Sequence, residues 1–453
     1  MTPTTLPLRI LLSAYACEPG KGSEPGVGWN WAIEMARLGH RVCVLTRQSN
    51  RVAIELGLHD ADANSYAPNL DFIYYDLPAW ARWWKRGGRG VHLYYLLWQI
   101  GAYGAARKAH LRHVFDAVHH LTFGVLRQPS LMGRLGIPFV IGPLGGGEAT
   151  PPMLRRSFPF RSKVQEWGRD MANFVCRYDP LVRGMYRDAG LILCRTPESL
   201  AWVPERYRAH SHCMPEVGVE AESEHPDVAA SAGSVLKLVY IGRFLTWKGM
   251  DIGLRALAQL RTHGINVTLT MIGKGREADR WRALAVELGI DDAVTWVEWM
   301  KQDDLMDAYA SFDALLFPSM HDSGANVVYE ALAHGLPVVC LDLGAPAQIV
   351  NEHCGIVVGT KGKTVEQVVD ALSASLYAFT RQPAWRTVLR AGARRRVRDF
   401  AWRTVVGRVW SDEGMGSALV KATKDRSDRA TDLGTRPAQF GRPARRAAPH
   451  DNP

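Results

Sequence analysis

The sequence lacks any apolar run of the roughly 18–20 residues that a membrane-spanning helix needs, and it has few cysteines. Its apolar beginning, residues 8–17, is short and runs directly into a Gly-rich segment, which argues against a secretion signal. The seven cysteines are scattered singly without any CxxC pair, so neither a disulfide framework nor a zinc site is expected. We therefore expect a cytosolic protein with buried, reduced thiols.

Acidic residues are fewer than basic ones, although the composition is otherwise that of a folded protein. Lysine and arginine number 55 against 45 aspartates and glutamates, giving a net charge of +10, and 47% of the residues are hydrophobic. Global disorder is therefore excluded. The basic excess suits an anionic ligand, an anionic membrane surface or nucleic acid. No recognition-helix, RNP or zinc signature supports specific nucleic-acid binding, so a nonspecific nucleic-acid-binding protein is kept only as an alternative.

Short apolar segments alternate with helix-like segments over most of the chain, and this pattern indicates parallel sheets covered on both faces. The first set of expected strands covers 8–16, 41–46, 70–77, 115–122, 137–144 and 191–196. After a polar stretch, a second set covers 236–244, 267–273, 293–300, 314–320, 336–343 and 355–359. The sequence therefore predicts an α/β protein in which two Rossmann-like domains face a cleft.

The same patterns divide the chain into five parts. Apolar residues at helical spacing near residue 405 predict a helix that docks back on the body of the protein. Beyond residue 414 large apolar residues become scarce, which predicts disorder. The expected parts are an N-terminal domain (1–214), a connector (215–234), a C-terminal domain (235–394), a crossover helix (395–413) and a disordered basic tail (414–453).

Residues 79–115 mix Trp, Tyr and Leu with many Arg, Lys and His side chains. Aromatic and basic side chains together favour a membrane–water interface. The same aromatic residues can instead fill the core of the first domain while the basic residues are solvated. The sequence leaves both interpretations open.

A Gly-rich loop, ACEPGKGSEPGVGWNW, follows the first strand. Its glycines include Gly22 and Gly26, and we expect the next helix to begin near Val27. Amides at a helix N-terminus bind phosphate well, which makes this loop a candidate phosphate site. The spacing is neither that of a dinucleotide G-x-G-x-x-G motif nor that of a P-loop, and a purely structural turn is an equal alternative.

The second half opens with a strand, LVYIGRF, followed by LTWKG. Gly242 ends the strand, and Arg243 and Lys248 come directly after it. Ligands of open α/β sheets bind beyond this edge, where two cations can converge on a diphosphate. The motif therefore predicts a diphosphate site.

The most specific block is FPSMHDSGANVVYEALAHGLPVV, residues 317–339. It places Asp322 in a loop after a buried strand and Glu330 in the following helix. Amides from Gly324 through Asn326 to Val327 can hold a phosphate oxygen, and Glu330 can accept hydrogen bonds from two ribose hydroxyls. This block predicts a nucleotide-binding edge.

Together these motifs resemble the retaining glycosyltransferases of family four, which have the GT-B fold. The resemblance covers residues 8–410 and rests on GSEPG, GRF-x-x-WKG, IGKG, the PSMHDSGAN block and EALAHGLPVV. It implies that Glu330 binds the nucleotide ribose and that Arg243 and Lys248 neutralise the donor diphosphate. It also implies that Asp322 contacts the donor sugar, although the family signature E-x7-E has Glu at that position.

The resemblance further implies a histidine near the donor sugar after a strand of the first domain. FDAVHHLTFG offers His119 and His120, with the spacing shifted by one residue. Side chains alternate along a strand, so we expect only one of them to face the cleft and choose His120 as catalytic. A packed core histidine is the alternative for either. The GPLGGGE turn, residues 142–148, fits either an acceptor-side loop or a structural turn.

The implied activity is transfer of a sugar from a nucleotide-diphosphate sugar to a lipid-linked or oligosaccharide acceptor in bacterial exopolysaccharide or lipopolysaccharide synthesis. A peripheral position on the inner face of the cytoplasmic membrane suits the basic chain. No metal cofactor is expected, and Asp60-Ala61-Asp62 is regarded as a chance D-x-D. A sugar-nucleotide epimerase with the same fold is the enzymatic alternative.

Overall fold

The computed structural model describes residues 7–59, 61–82, 90–220 and 235–434. Two all-parallel sheets form its two domains. The first sheet has the order β3-β2-β1-β4-β5-β6-β7. Its strands are β1 (Arg9–Ser13), β2 (Arg41–Thr46), β3 (Leu70–Tyr74), β4 (Ala117–His120), β5 (Phe139–Leu144), β6 (Leu191–Cys194) and β7 (Ser211–Cys213).

The second sheet has the order β10-β9-β8-β11-β12-β13. Its strands are β8 (Leu236–Ile241), β9 (Val267–Ile272), β10 (Val294–Val297), β11 (Ala314–Phe317), β12 (Val338–Leu341) and β13 (Gly355–Val358). All twelve predicted strands are present, and the predicted fold class is confirmed. The short β7 was missed because its sequence, Ser-His-Cys, has no apolar run and is mostly exposed.

Helices cover both sheets. Those of the first domain are α1 (Ser23–Arg37), α2 (Arg51–Gly57), α3 (Ala79–Arg82), α4 (Val91–His113), α5 (Pro152–Arg155), α6 (Phe160–Cys176), α7 (Pro180–Asp188) and α8 (Pro197–Trp202). Those that follow are α9 (Met250–Thr262), α10 (Ala278–Glu287), α11 (Gln302–Ala308), α12 (Asn326–Ala333), α13 (Pro346–Ile349), α14 (Val365–Arg381), α15 (Pro383–Arg398), α16 (Trp402–Trp410) and α17 (Met415–Gly434). No helix in the described ranges has the length and apolar character needed to span a bilayer.

The strand orders bring the chemical motifs to two matching places. In the first sheet β1 lies beside β4, and in the second β8 lies beside β11. In each sheet, the strands that follow the first member of the pair lie on one side of it, and those that follow the second member lie on the other side. This reversal of strand order leaves a crevice at the carboxyl ends of the paired strands. The Gly-rich loop and the histidines follow β1 and β4, while the GRF and PSM segments follow β8 and β11.

The chain returns to the first domain after the second sheet. The side chains of Val405, Val409 and Trp410 in α16 are buried in the core that also contains α1 and β1. The Val219 amide donates to the Phe400 carbonyl and the Trp402 amide donates to the Val219 carbonyl, and these two hydrogen bonds tie the crossover to the connector. The structure places the crossover helix at Trp402–Trp410, within the predicted 395–413 segment.

The prediction of a disordered tail from residue 414 is wrong as far as Gly434, because α17 continues the fold there. Val420 is buried in the first domain's core, Leu419 packs against it, and Lys424 pairs with Asp116 at 2.7 Å. Met415, Leu419 and Val420 have helical spacing, a signal that the polar composition of the tail obscured. Residues 435–453 lie outside the described residues, as do residues 221–234 of the predicted connector.

The aromatic and basic segment at residues 79–115 is divided between core and surface. Tyr94, Tyr95 and Trp98 are buried around Tyr15 in the core of the first domain. Exposed apolar side chains of the same segment are Trp80, Leu93, Leu96, Ile100, Leu111 and Val114. The core interpretation therefore applies to the buried aromatics, and membrane contact by the remainder stays a prediction. Residues 83–89 lie outside the described residues.

Candidate active site

A cleft of about 690 Å³ lies between the two domains. Its first wall comes from the GPLGGGE turn and α6, and its second from the loops after β8, β9 and β11. The lining residues are Arg127, Gly146, Glu148, Gln165, Glu166, Arg169, Arg243, Leu245, Trp247, Gly275, Arg276, His321, Asp322 and Ser323. The charged residues among them are four arginines and three carboxylates, Glu148, Glu166 and Asp322, so the lining has a small excess of positive charge.

The GRF and IGKG loops interlock backbone against backbone on the second wall. Gly242 and Gly273 have φ values of +151° and +140°, which side-chain-bearing residues rarely adopt. A Cβ at Gly273 would lie 2.0 Å from the carbonyl oxygen of Gly242. This close approach explains Gly273, whereas the φ value explains Gly242. Arg243 follows Gly242 and is exposed at the edge of the cleft.

Lys248 and Asp322, 74 positions apart in sequence, form an ion pair. The ammonium also lies 4.7 Å from the centroid of the Phe317 ring. The other carboxylate oxygen of Asp322 accepts hydrogen bonds from the amides of Gly324 at 3.3 Å and Ala325 at 3.2 Å. Asp322 therefore holds its own loop in place, and an anion that reaches Lys248 competes with Asp322 for the ammonium.

The N-terminus of α12 follows this loop directly. Ala325 caps the helix in the left-handed conformation, with φ +51°. Among the amides predicted to hold phosphate, that of Gly324 already donates to Asp322. Asn326 and Val327 lie in the first turn, where amides have no acceptor within the helix. Their amides are therefore the better candidates for a phosphate oxygen.

Glu330 lies on α12 and is largely buried. Its carboxylate accepts a hydrogen bond of 3.2 Å from the Tyr309 hydroxyl, and the Tyr309 ring stacks on His334 at 4.9 Å. Burial raises the pKa of Glu330, and the Tyr309 hydrogen bond offsets only part of that effect. Glu330 is not among the residues that line the cleft volume, and its contact with a ribose remains a prediction.

The Gly-rich loop after β1 differs from the prediction in where its helix begins. Helix α1 begins at Ser23 with Gly22 as its N-cap, instead of near Val27. A Cβ at Gly26 would lie 2.0 Å from the carbonyl oxygen of Lys21, so Gly26 permits close packing of the helix on its own loop. This packing accounts for Gly26 without a ligand, and phosphate binding at Gly22 and Gly26 stays a prediction.

Both histidines of β4 are buried, on opposite faces of the first sheet. His119 Nε2 lies 2.8 Å from the Gly142 carbonyl oxygen, and its Nδ1 accepts from the Trp410 indole at 3.1 Å. His120 Nε2 lies 2.9 Å from the Tyr95 hydroxyl, and the His120 side chain is only 3% exposed. His120 is therefore in the core and not on the described cleft wall where we expected it, because Tyr95 covers it. Its catalytic role remains a prediction.

The GPLGGGE turn reaches the second domain. A Cβ at Gly145 would lie 3.1 Å from the Ser323 Cβ, so the two walls touch at this point. Glu148 is buried and accepts hydrogen bonds from the Gly146 amide, the Thr196 hydroxyl and the Ser199 hydroxyl. The turn is therefore a rigid part of the first wall.

Sequence reasoning missed the contribution of α6. Glu166 Oε1 lies 3.1 Å from His321 Nε2, and Arg169 lies 2.9 Å from His321 Nδ1. Burial lowers the pKa of His321, so its ring is neutral near pH 7. The ring also stacks on Trp247 at 5.0 Å. Nothing in the local sequence of α6 indicates these contacts, because they join residues about 155 positions apart.

The D-x-D motif adds nothing to this cleft. Asp60 lies outside the described residues, and so does the side chain of Asp62. Within the described part of the chain, no group of three or more His, Cys, Asp or Glu side chains is arranged to hold a metal ion.

Residues 236–377 match the family described as Glycosyl transferases group 1. The chain is 34% identical over 203 residues to a D-inositol 3-phosphate glycosyltransferase of Saccharomonospora viridis, covering 41% of this chain and 46% of the relative. It is 30% identical over 175 residues to a GDP-mannose-dependent alpha-(1-6)-phosphatidylinositol monomannoside mannosyltransferase of Mycobacterium tuberculosis, covering 35% and 45%. The matches thus span less than half the length of these curated relatives.

The fold has counterparts among solved structures. The sucrose-phosphate synthase of Thermosynechococcus elongatus superposes with a TM-score of 0.57 at 17% identity, covering 94% of this chain and all of that one. The match to the group 1 glycosyl transferases is thus confined to residues 236–377, and the chain has the two-domain GT-B fold that its motifs predicted.

Proposed function

We propose that this protein is a retaining glycosyltransferase that moves a sugar from a nucleotide-diphosphate sugar to a lipid-linked glycan acceptor during synthesis of a bacterial surface polysaccharide. The observation that carries the proposal is that Arg243, the Lys248–Asp322 pair and the N-terminus of α12 meet beside the interdomain cleft. This is a place where cations and helix amides together can bind a diphosphate.

The donor binds to the second domain in this proposal. Arg243 and Lys248 face the diphosphate, the amides of Asn326 and Val327 hold one of its oxygens, and Glu330 accepts hydrogen bonds from the ribose. Lys248 exchanges part of its pairing with Asp322 for the diphosphate, which frees an oxygen of Asp322 to contact the donor sugar.

The bond from the sugar to the diphosphate breaks first. Positive charge develops on the sugar as an oxocarbenium-like species, while the two cations offset the charge of the departing diphosphate. An acceptor hydroxyl then attacks from the same face of the sugar, and its proton passes to the departing phosphate oxygen. This route needs no protein nucleophile and, because side chains and amides balance the charge, no metal ion. A closed cleft excludes the water that would otherwise hydrolyse the donor.

The acceptor binds to the first domain in this proposal, next to the GPLGGGE turn and α6. A lipid-linked acceptor is supported by the name of one relative, which acts on a phosphatidylinositol monomannoside. It also suits a basic protein at the inner face of a cytoplasmic membrane. No observation favours the epimerase alternative, because both named relatives are glycosyltransferases.

A thermal-shift titration with UDP, GDP and ADP and their sugar conjugates tests the donor site. Ligand at about 100 times its dissociation constant should add ~2.7 kcal/mol to the free energy of unfolding. We expect one nucleotide class to stabilise the protein and Glu330→Ala to abolish the shift. Asp370→Ala, which alters an exposed side chain on α14 of the same domain, is the control and should keep the shift. No shift with any nucleotide would contradict the proposal.

A further inference from the structure

Helix α6 has an apolar stripe that faces solvent. Each member has another member three or four residues away along the chain, so they share one side of the helix. They are Phe160, Val164, Trp167, Met171, Phe174 and Val175, and Tyr178 extends the stripe just beyond the helix. Phe160 is 82% exposed and Trp167 is 64% exposed. A contiguous exposed patch of this kind marks a contact with a partner or a membrane.

The opposite side of α6 contacts both domains through hydrogen bonds. Ser162 Oγ lies 2.7 Å from Thr246 Oγ1 in the second domain, Glu166 meets His321, and the Asn173 amide donates to the Gly146 carbonyl at 3.1 Å. These contacts fix the rotation of the helix about its axis. The apolar stripe is therefore held outward while the inner side of the same helix borders the cleft.

The charges around the stripe have one sign. Every charged side chain of the exposed class between residues 155 and 187 is basic: Arg156, Arg161, Lys163, Arg177, Arg183 and Arg187. The acidic side chains of this segment are more buried and have partners, with Asp170 paired to Arg155 and Asp179 capping α7. An apolar stripe flanked by arginine and lysine complements the surface of an anionic bilayer.

We propose that the outer side of α6 docks this protein on an anionic membrane and thereby presents the cleft to the bilayer surface. The helix is about 26 Å long at 1.5 Å per residue, and its diameter of ~10 Å separates the stripe from the cleft. A sugar attached to a lipid in that surface reaches the cleft across one helix. The proposal deepens the proposed function and rests on it for the lipid-linked acceptor.

Co-sedimentation with phosphatidylcholine vesicles, with and without phosphatidylglycerol, tests the proposal. We expect the wild-type protein to bind the anionic vesicles and the Trp167→Glu/Phe174→Glu variant to bind them at least about tenfold more weakly. The matched control is Val286→Glu/Val388→Glu, which places the same charges on exposed apolar positions of α10 and α15. It should bind as the wild type does, and both variants should keep the wild-type melting temperature.

A second pair of variants separates the alternatives. Arg161→Glu/Lys163→Glu should weaken binding to anionic vesicles and leave any binding to neutral vesicles unchanged. Wild-type vesicle binding by Trp167→Glu/Phe174→Glu overturns the proposal. It is also overturned if Leu93→Glu/Ile100→Glu on α4 is the variant that loses binding. The proposal is also overturned, in favour of a protein interface, if the wild-type protein does not bind vesicles but forms a dimer and the Trp167→Glu/Phe174→Glu variant is monomeric.

The nucleotide titration distinguishes failure of this proposal from failure of the proposed function. The α6 variant should keep the thermal shift caused by the donor nucleotide, because its substitutions lie on the side away from the cleft. Loss of vesicle binding with an intact nucleotide shift supports the docking surface. A wild-type protein that binds vesicles through α6 but binds no nucleotide would contradict the proposed activity while leaving the surface intact.

Discussion

At the scale of residues, the Lys248–Asp322 ion pair has no net charge, yet its ammonium group can still bind an anion that competes with Asp322. Both side chains are only about one-sixth exposed, so their charges interact strongly. Arg243, by contrast, is exposed at the edge of the cleft. The two cations therefore have different tasks in the proposed reaction, since Arg243 meets the diphosphate freely and Lys248 must share its partner.

Removal of Arg243 should impair the chemical step. We expect Arg243→Ala to lower the turnover number by about 10²–10³-fold, equivalent to ~2.7–4 kcal/mol of lost transition-state stabilisation. Steady-state kinetics with the nucleotide sugar found by thermal shift provide the measurement. The control, Arg282→Ala, removes a half-buried arginine that lies over the Trp296 ring in the same domain and should leave turnover unchanged. Near wild-type turnover of Arg243→Ala would show that the cation is not part of the reaction.

At the scale of elements, the loops on the second wall owe their shape to glycine. The GRF and IGKG loops approach so closely that a methyl group does not fit between them, which ties the position of Arg243 to the end of β9. The loop before α12 is held in another way, by hydrogen bonds from two amides to Asp322. Glycine motifs can be recognised in a sequence, whereas the hydrogen bonds from the Gly324 and Ala325 amides to Asp322 are seen only in the structure.

Substitution of Gly273 should test this interlock. We expect Gly273→Ala to lower the free energy of unfolding by ~2–4 kcal/mol, because it adds a clash with the Gly242 carbonyl to an unfavourable φ. The matched control is Gly264→Ala, where φ is also positive, at +74°, but no atom lies within 4 Å of the added carbon. That variant should lose only about 1 kcal/mol. Equal losses in urea unfolding would show that crowding at Gly273 does not matter.

At the scale of the whole molecule, the two sheets are joined by the crossover helix and by contacts across the cleft. His119 joins the crossover helix to the first sheet, since it lies on β4 and accepts a hydrogen bond from Trp410 of α16. Burial lowers the pKa of His119 to about 4, and burial together with the neighbouring His119 lowers that of His120 to about 3. Both rings are therefore neutral in the folded protein at neutral pH.

These histidines make stability depend on pH. Their folded-state pKa values lie below the ~6.5 of an unfolded histidine, so the unfolded chain binds more protons below that pH. The stabilisation is complete above about pH 6.5 and is lost as the pH falls toward 4, by up to ~1.4 kcal/mol per pH unit for each ring. Urea unfolding at pH 7 and pH 5 measures the loss, which His120→Gln should reduce by about 1–2 kcal/mol. Substitution of the exposed His353 by Gln should leave the loss of stability between pH 7 and pH 5 unchanged. An equal loss in the wild type and in His120→Gln would show that His120 does not cause the pH dependence.

Sequence alone determined the two-domain α/β architecture, the twelve main strands and the motifs at the sheet edges. It could do so because buried parallel strands need continuous apolar runs and because close backbone contacts require glycine, and both are local properties. Only the tertiary structure decided that His120 lies beneath Tyr95, that Asp322 holds its own loop, and that α6 joins a cleft wall to an exposed apolar stripe. These three features depend on which distant segments of the chain come into contact and on how each helix is rotated about its axis. Neither can be predicted from a local sequence pattern.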